Sequence, residues 1–306
     1  MSTGLIYRPP FEARSFLLKV TAGCSHNCCS FCTMYRDVPF SVIPVEQVEN
    51  DLREAAETNP GITRVFLENG DPFCLSADRL AAVAEMIHVY LPKVETITMY
   101  ASILNIMEKS DAELNTLRAL GIDQLNIGVE SGLDDALARM NKGYTAEQAR
   151  HELKRLRAAG MEYSANIILG CAGEGRQEAH ALETAKLMNE TRPLLIFAGT
   201  IHTEPGCPLY EEIRSGAFRE NTFGEYLDEE ELFLSKLDPM VCYYFGLHPS
   251  NVVHLNGVLN RDKETMLKEI RRMRDRLSGR LDERPVRGAE GAILNISSFF
   301  FDTVTG

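Results

Sequence analysis

Short apolar runs alternate with amphipathic segments along the first two-thirds of the chain. Residues 16 to 21 read as a first strand, and residues 44 to 56 as a helix with Val45, Val48 and Leu52 on one face. A second strand over 63 to 67 is broken by Glu68-Asn69-Gly70-Asp71-Pro72, after which Ser76 caps a helix carrying Leu80, Val83, Ala84 and Ile87. Residues 94 to 100 form a third strand. The capping box Ser110-x-x-Glu113 opens the next helix and Gly121 ends it. A fourth strand over 124 to 129 stops at Glu130-Ser131-Gly132, and Thr145-x-x-Gln148 caps a helix running to Gly160. A fifth strand over 162 to 169 closes at Gly170-Cys171-Ala172-Gly173-Glu174. A helix around 175 to 190 leads to a sixth strand over 194 to 201, before Pro205-Gly206-Cys207-Pro208.

Six strands alternating with helices describe a parallel α/β sheet with right-handed crossovers. From about residue 208 the pattern reads as helical and irregular. Residues 227 to 237 and 262 to 277 are amphipathic; Met266, Ile270, Met273 and Leu277 share one face of the second, with Arg271, Arg272, Arg274 and Arg276 on its polar side. Such a charge run is most simply a solvated face. The expected division is a core over 1 to 215 and a helical C-terminal extension over 216 to 306, which includes Pro285 and Phe299-Phe300-Phe301.

The chain of 306 residues is 44% hydrophobic and 25% charged, ordinary for a globular protein with a substantial core. No stretch has the run of apolar residues of a membrane span, and Arg8, Glu12 and Arg14 rule out a secretory h-region, so no membrane association is expected. A net charge of -12 argues against a dedicated polyanion surface and makes nucleic acid an unlikely partner. Clustered rather than dispersed cysteines indicate a reducing cytoplasm.

Four of the eight cysteines fall within nine residues, in Cys24-Ser-His-Asn-Cys28-Cys29-Ser-Phe31-Cys32, just after the first strand. Thiolates are soft ligands, and a short loop presenting several suits an iron-sulfur cluster or zinc. Cys24, Cys29 and Cys32 give C-x4-C-x2-C, with Phe31 before the last cysteine. Two alternatives stay open on the residues alone. Cys28 in place of Cys29 gives C-x3-C-x3-C, and His26 with the cysteines could supply four zinc ligands, although no second separated pair follows downstream.

The loop resembles the cluster-binding loop of radical S-adenosylmethionine (radical SAM) enzymes, commonly C-x3-C-x2-C, and departs from it by one residue. It is closer to a poorly characterised subgroup, matched by Cys24, Asn27, Cys29, Phe31, Cys32, Met34 and Tyr35. The resemblance implies a partial (β/α)6 TIM-like barrel and a 4Fe-4S cluster held by Cys24, Cys29 and Cys32. Its one iron without a protein ligand would chelate S-adenosylmethionine, with electrons from a low-potential donor such as flavodoxin or ferredoxin. It also implies cofactor contacts from Phe31, from Asn69, Gly70 and Asp71 near the methionine amino group, and from Glu130 and Ser131 near ribose and carboxylate. Ile168 and Gly170 would meet adenine.

Active sites of parallel barrels lie at the C-terminal strand ends. There His202 and Glu204 are candidates for touching a small-molecule substrate. Cys74, Cys171 and Cys207 also follow strands, where a free cysteine is most often a small buried hydrophobe. His248-x-Ser250-Asn251 resembles a segment of the same subgroup. Two rival readings are a tRNA-modifying relative, which would be expected to carry a further cluster domain before Cys24, and a non-enzymatic metal-binding protein.

Overall fold

The computed structural model describes residues 7–296; the expected role of Phe299-Phe300-Phe301 lies outside them. In chain order the elements are β1 (Phe16–Lys19), β2 (Thr21–Ala22), β3 (Ser41–Val42), α1 (Val45–Thr58), β4 (Arg64–Glu68), α2 (Ala77–Tyr90), β5 (Thr96–Ala101), α3 (Ile103–Met107), α4 (Asp111–Ala119) and β6 (Ile122–Glu130). There follow α5 (Asp134–Arg139), α6 (Ala146–Ala158), β7 (Glu162–Leu169), α7 (Gln177–Thr191), β8 (Leu195–Thr200), α8 (Pro208–Ser215), α9 (Phe223–Lys236), β9 (Tyr243–Gly246), β10 (Leu255–Val258) and α10 (Leu259–Arg276). One sheet has the order β1-β4-β5-β6-β7-β8-β9-β10, while β2 and β3 form a separate antiparallel ribbon. The large sheet is mostly parallel, as expected for the partial TIM-like barrel class, with β10 antiparallel to β9.

The expected caps are present. The side chains of Ser76, Ser110 and Thr145 accept from the backbone N–H three residues on, and those of Glu113 and Gln148 reach back to complete the boxes at Ser110 and Thr145. Gly121, with φ +83°, takes the left-handed position that ends α4. Beyond residue 215, where the sequence reads as helical and irregular, the structure adds two strands, β9 and β10, which extend the sheet. Each spans only four residues, too few for a periodic signature.

Two compact units make up the chain. The first comprises residues 7–28, 32–128 and 151–164; the second comprises 29–31, 129–150 and 165–296. In the first, alternation along each strand sends Val65, Leu67, Ile97, Met99, Leu125 and Ile127, all buried, to one face. The opposite face carries polar side chains. Arg64 donates to both oxygens of the fully buried Glu12, at 2.9 and 2.6 Å, and to Gln124 at 2.7 Å. One layer on, Asn126 donates to Thr98 at 3.2 Å, and the Phe66 and Tyr100 rings meet edge-on.

In the second unit, α9 and α10 are joined by Arg271 to Glu231 at 2.8 Å and Arg274 to Asp228 at 2.6 Å; Arg272 pairs with Glu269 on its own helix. Three of the four arginines on the polar, solvated side of that helix are therefore paired with acids.

Candidate functional site

The cysteine loop leaves β2 through Gly23, whose φ of +73° and close approach to the Val38 carbonyl exclude a side chain. Its carbonyl accepts from the N–H of Gly70 at 2.9 Å. A Cβ on Gly70 would lie 2.5 Å from the Cβ of Cys24, so only glycine lets the loops after β1 and β4 meet. Asn69 adopts φ +84°, a left-handed conformation that asparagine tolerates better than most residues. Asp71, 3% exposed, accepts from Ser25 N–H at 2.9 Å and from Ser25 Oγ at 2.6 Å. Burial pushes its carboxyl pKa up, against the lowering bonds from Ser25. The acid expected near a ligand amine thus also fixes the residue after Cys24.

Exposure separates the loop cysteines. Cys24, Cys29 and Cys32 are half-buried, whereas Cys28 is exposed with its Sγ 3.4 Å from Nε2 of His26. Asn27 donates from its side chain to the Tyr35 carbonyl at 2.9 Å and from its backbone towards Cys24 Sγ at 3.5 Å. Arg36 donates to the Cys32 carbonyl at 3.2 Å. Among the described residues no three His, Cys, Asp or Glu side chains stand close enough to grip a metal ion as they are. None of the eight cysteines is in a disulfide.

Asn126, missed by the sequence reading, is 2% exposed, and its Oδ1 has no hydrogen-bond partner among the described residues. A buried, unpaired carbonyl of this kind calls for a ligand or a water. Glu68, at the end of β4, is buried and its pKa is raised by that burial, with the Lys19 charge opposing. The signal for both residues was the alternate polar positions along strands otherwise apolar.

In the second unit Ser30 anchors the segment around Phe31. It donates from N–H to the Met140 carbonyl at 3.1 Å and from Oγ to the Arg139 carbonyl at 2.8 Å, and its own carbonyl accepts from Leu209 N–H at 2.9 Å. Lys142, also missed, is buried. Its Nζ lies 3.0 Å from Glu130 Oε1 and about 6 Å from the centroids of Phe31 and Tyr144. Burial alone would push this ammonium down; the Glu130 carboxylate, then Tyr144 and Cys29, outweigh it and hold the lysine protonated. Ser131 is fully buried and its Oγ accepts from Leu133 N–H at 2.9 Å, a turn-forming role.

Ile168 is half-buried between the buried Ile167 and Leu169, which puts it on the opposite face of β7 from them. Gly170 has φ +77°, and a Cβ there would lie 2.4 Å from the Tyr226 ring. Its N–H donates to Glu229 at 2.9 Å; the same carboxylate meets His180 at 2.6 Å, and the other ring nitrogen of His180 lies 3.2 Å from Cys171 Sγ. Cys171 and Cys207 are fully buried, so neither offers a thiol at an open mouth.

His202 is half-buried, its ring stacked on that of His248 with centroids 5.4 Å apart. Glu204 is exposed and lines a cavity of about 520 Å³ with Thr203, Tyr210, Glu220, Arg287 and Gly288. Arg287 donates to Glu220 at 2.8 Å across this cavity wall.

A family model described as the radical SAM superfamily matches residues 18–185. The tRNA-2-methylthio-N(6)-dimethylallyladenosine synthase of Pelobacter propionicus is 27% identical over 283 residues, 88% of this chain and 58% of the relative. The chain therefore spans less than two-thirds of that relative's length. Among solved structures, methylornithine synthase superposes with a TM-score of 0.52 at 17% identity, over 89% of this chain and 83% of that one. A radical S-adenosylmethionine methyltransferase of Kitasatospora setae, solved with cobalamin and a 4Fe-4S cluster, gives 0.54 at 16% identity, over 66% of this chain and 39% of that one. At these identities the two structures speak to the fold. No helix among the described residues is long and apolar enough to cross a membrane.

Proposed function

The chain belongs to the radical SAM superfamily, whose members work with a 4Fe-4S cluster and S-adenosylmethionine, and from that premise we propose an enzyme whose Cys24, Cys29 and Cys32 hold the cluster. When bound, cluster and S-adenosylmethionine supply an electron and a carbon-centred radical able to take hydrogen from a substrate. The observation that carries the reading is the clamp on the cysteine loop: Gly70 against Cys24, and Asp71 on Ser25. Three half-buried thiols on a loop fixed at one end suit a soft cluster, while exposed Cys28 is left to His26.

The remaining residues prepare the surroundings. In the first unit, the backbone of Asn69 and Gly70 and the carboxylate of Asp71 are assigned to the methionine end of S-adenosylmethionine, with the unpaired Oδ1 of Asn126 as a further acceptor. In the second, Lys142 fixes one oxygen of Glu130 and leaves the other to accept from a ribose hydroxyl. Phe31 lies beside the same cation. Ile168 and the backbone at Gly170 are assigned to adenine. Ser131 acts by shaping the turn that presents Glu130. His202 and Glu204 are assigned to the substrate.

A small molecule is the favoured substrate class, since a cavity of about 520 Å³ at Glu204 falls in the range of such sites. The reaction is placed in a reducing cytoplasm with a low-potential flavodoxin or ferredoxin as electron donor. The relative that modifies tRNA supports a second reading, a tRNA substrate, and reopens the nucleic-acid partner that net charge had argued against. Anaerobic reconstitution with iron and sulfide tests the core of the proposal, with about four irons per chain expected. An S-adenosylmethionine cleavage yield raised by bulk tRNA, and not by a metabolite extract, would favour the second substrate class.

A further inference from the structure

Strands β8 and β9 run parallel with Phe197 beside Phe245. These two rings stack at 5.2 Å, and Phe197 meets the His248 ring edge-on at 6.3 Å. His248 in turn stacks on His202. Four flat rings thus run in contact from the middle of β8, through β9, to the loops beyond the C-terminal ends of both strands, and each is half-buried, with part of its surface open. In parallel α/β enzymes this is the edge that binds ligands.

The two imidazoles are stacked on each other, and Nδ1 of His248 is engaged by Ser250. Nδ1 of His248 accepts from the N–H of Ser250 at 3.2 Å and lies 2.8 Å from its Oγ, which puts the proton of the neutral ring on Nε2. The Thr200 backbone raises the His202 pKa against burial, and a neutral imidazole carries one bare nitrogen. Burial pushes both pKa values down, that of His248 to about 4, with the neighbouring His202 and Arg287 adding to the effect. Arg287, which also lines the cavity at Glu204, braces the segments that carry the pair. One guanidinium nitrogen donates at 3.1 Å both to the Ser250 carbonyl, in the turn under His248, and to the Gly291 carbonyl. Gly291 lies against His202 so closely that a Cβ there would be 2.4 Å from Cγ.

We propose that Phe197, His202, Phe245 and His248 form the substrate-recognition wall, and that it takes a small molecule bearing a flat group with a hydrogen-bond acceptor and donor on adjacent atoms, such as a cyclic amide. The ring faces supply stacking area, Nε2–H of His248 meets the acceptor, and the bare nitrogen of His202 meets the donor. The cavity beginning at Thr203 and Glu204, the residues that follow His202, receives the rest of the molecule. Calling the ligand a substrate rests on the function proposed above; the binding itself does not.

The test uses the full chain labelled with 15N-histidine and titrated with 2-pyridone, a flat ring with adjacent acceptor and donor. N-methyl-2-pyridone, which lacks the donor, is the control. The expected result is movement of the His202 and His248 ring-nitrogen resonances with 2-pyridone, and about tenfold weaker binding of the methylated compound. His248→Phe keeps a ring in the stack and is expected to weaken 2-pyridone about tenfold. His202→Phe serves the same purpose if the first variant melts early. Unmoved resonances, equal binding of the two pyridones, or indifference to both variants would overturn the assignment. Displacement of 2-pyridone by bulk tRNA would give the wall to an RNA base and overturn the small-molecule class. Neither cluster nor S-adenosylmethionine is needed, so failure here is separable from failure of the proposed reaction.

Discussion

Gly70 and Cys24 touch where a side chain on either loop would normally intervene: a Cβ on Gly70 would lie 2.5 Å from the Cβ and 2.9 Å from the Cα of Cys24. Gly70→Ala is therefore expected to displace the cysteine loop while leaving the sheet intact. The melting temperature should fall by only a few degrees, whereas at least about half the iron taken up on reconstitution should be lost. Iron and sulfide assays beside a thermal melt check this. Full iron content in the alanine variant would show that the contact does not set the cluster site.

The exposure of Cys28 and its contact with His26 set it apart from its neighbours. Cys28→Ala is expected to assemble a cluster as the parent does, and Cys29→Ala to assemble none. Electron paramagnetic resonance of the reduced proteins reads the difference. The opposite pattern would move the ligand set to Cys24, Cys28 and Cys32.

Lys142 is the buried counter-charge of Glu130. Lys142→Met leaves that carboxylate without its partner, and breaking such a pair costs about 3–5 kcal/mol. Denaturant unfolding should show a loss of this order for the single variant and recovery of most of it in Lys142→Met/Glu130→Gln. An unchanged midpoint in the single variant would contradict the pairing.

Glu230 is buried, and that burial raises its pKa to about 8, against the lowering bond from the Tyr244 hydroxyl at 2.7 Å. Folding thus favours the protonated form. Below the ordinary value of 4.5 both states are protonated and the contribution is intact; as pH rises from there towards 8 the unfolded chain binds fewer protons than the folded one, and stability falls. Glu230→Gln keeps an acceptor for Tyr244 and should raise the melting temperature at pH 8 by several degrees, with a smaller gain at pH 5.5. Equal gains at the two pH values would refute the titration.

The sheet was legible because each crossover pairs an apolar run with an amphipathic helix, several of them opened by side-chain caps at Ser76, Ser110 and Thr145, and local chemistry fixes both. Strands β9 and β10 were not, since Tyr243–Gly246 and Leu255–Val258 are too short for a period to show. The cysteine loop was readable because nine residues hold all its thiols. Lys142 was hidden: in Asn141-Lys142-Gly143 a lysine reads as solvent-facing, and only the turn that brings it to Glu130, twelve positions earlier, buries it. Ser131 shows the converse. Its place before a glycine resembled a ligand contact, but its hydroxyl is engaged with the backbone of Leu133. The stacked histidines lie far apart in sequence, so their pairing exists only once β8 and β9 lie side by side.

The most direct test of the account is release of 5'-deoxyadenosine. The chain, reconstituted without oxygen and supplied with S-adenosylmethionine and a low-potential reductant, should release it in amounts that mass spectrometry quantifies. A Cys24→Ala, Cys29→Ala, Cys32→Ala variant should release none. Cleavage that persists in this triple variant would contradict the assigned ligands. A reconstituted chain that carries its irons and never cleaves S-adenosylmethionine would contradict the enzyme.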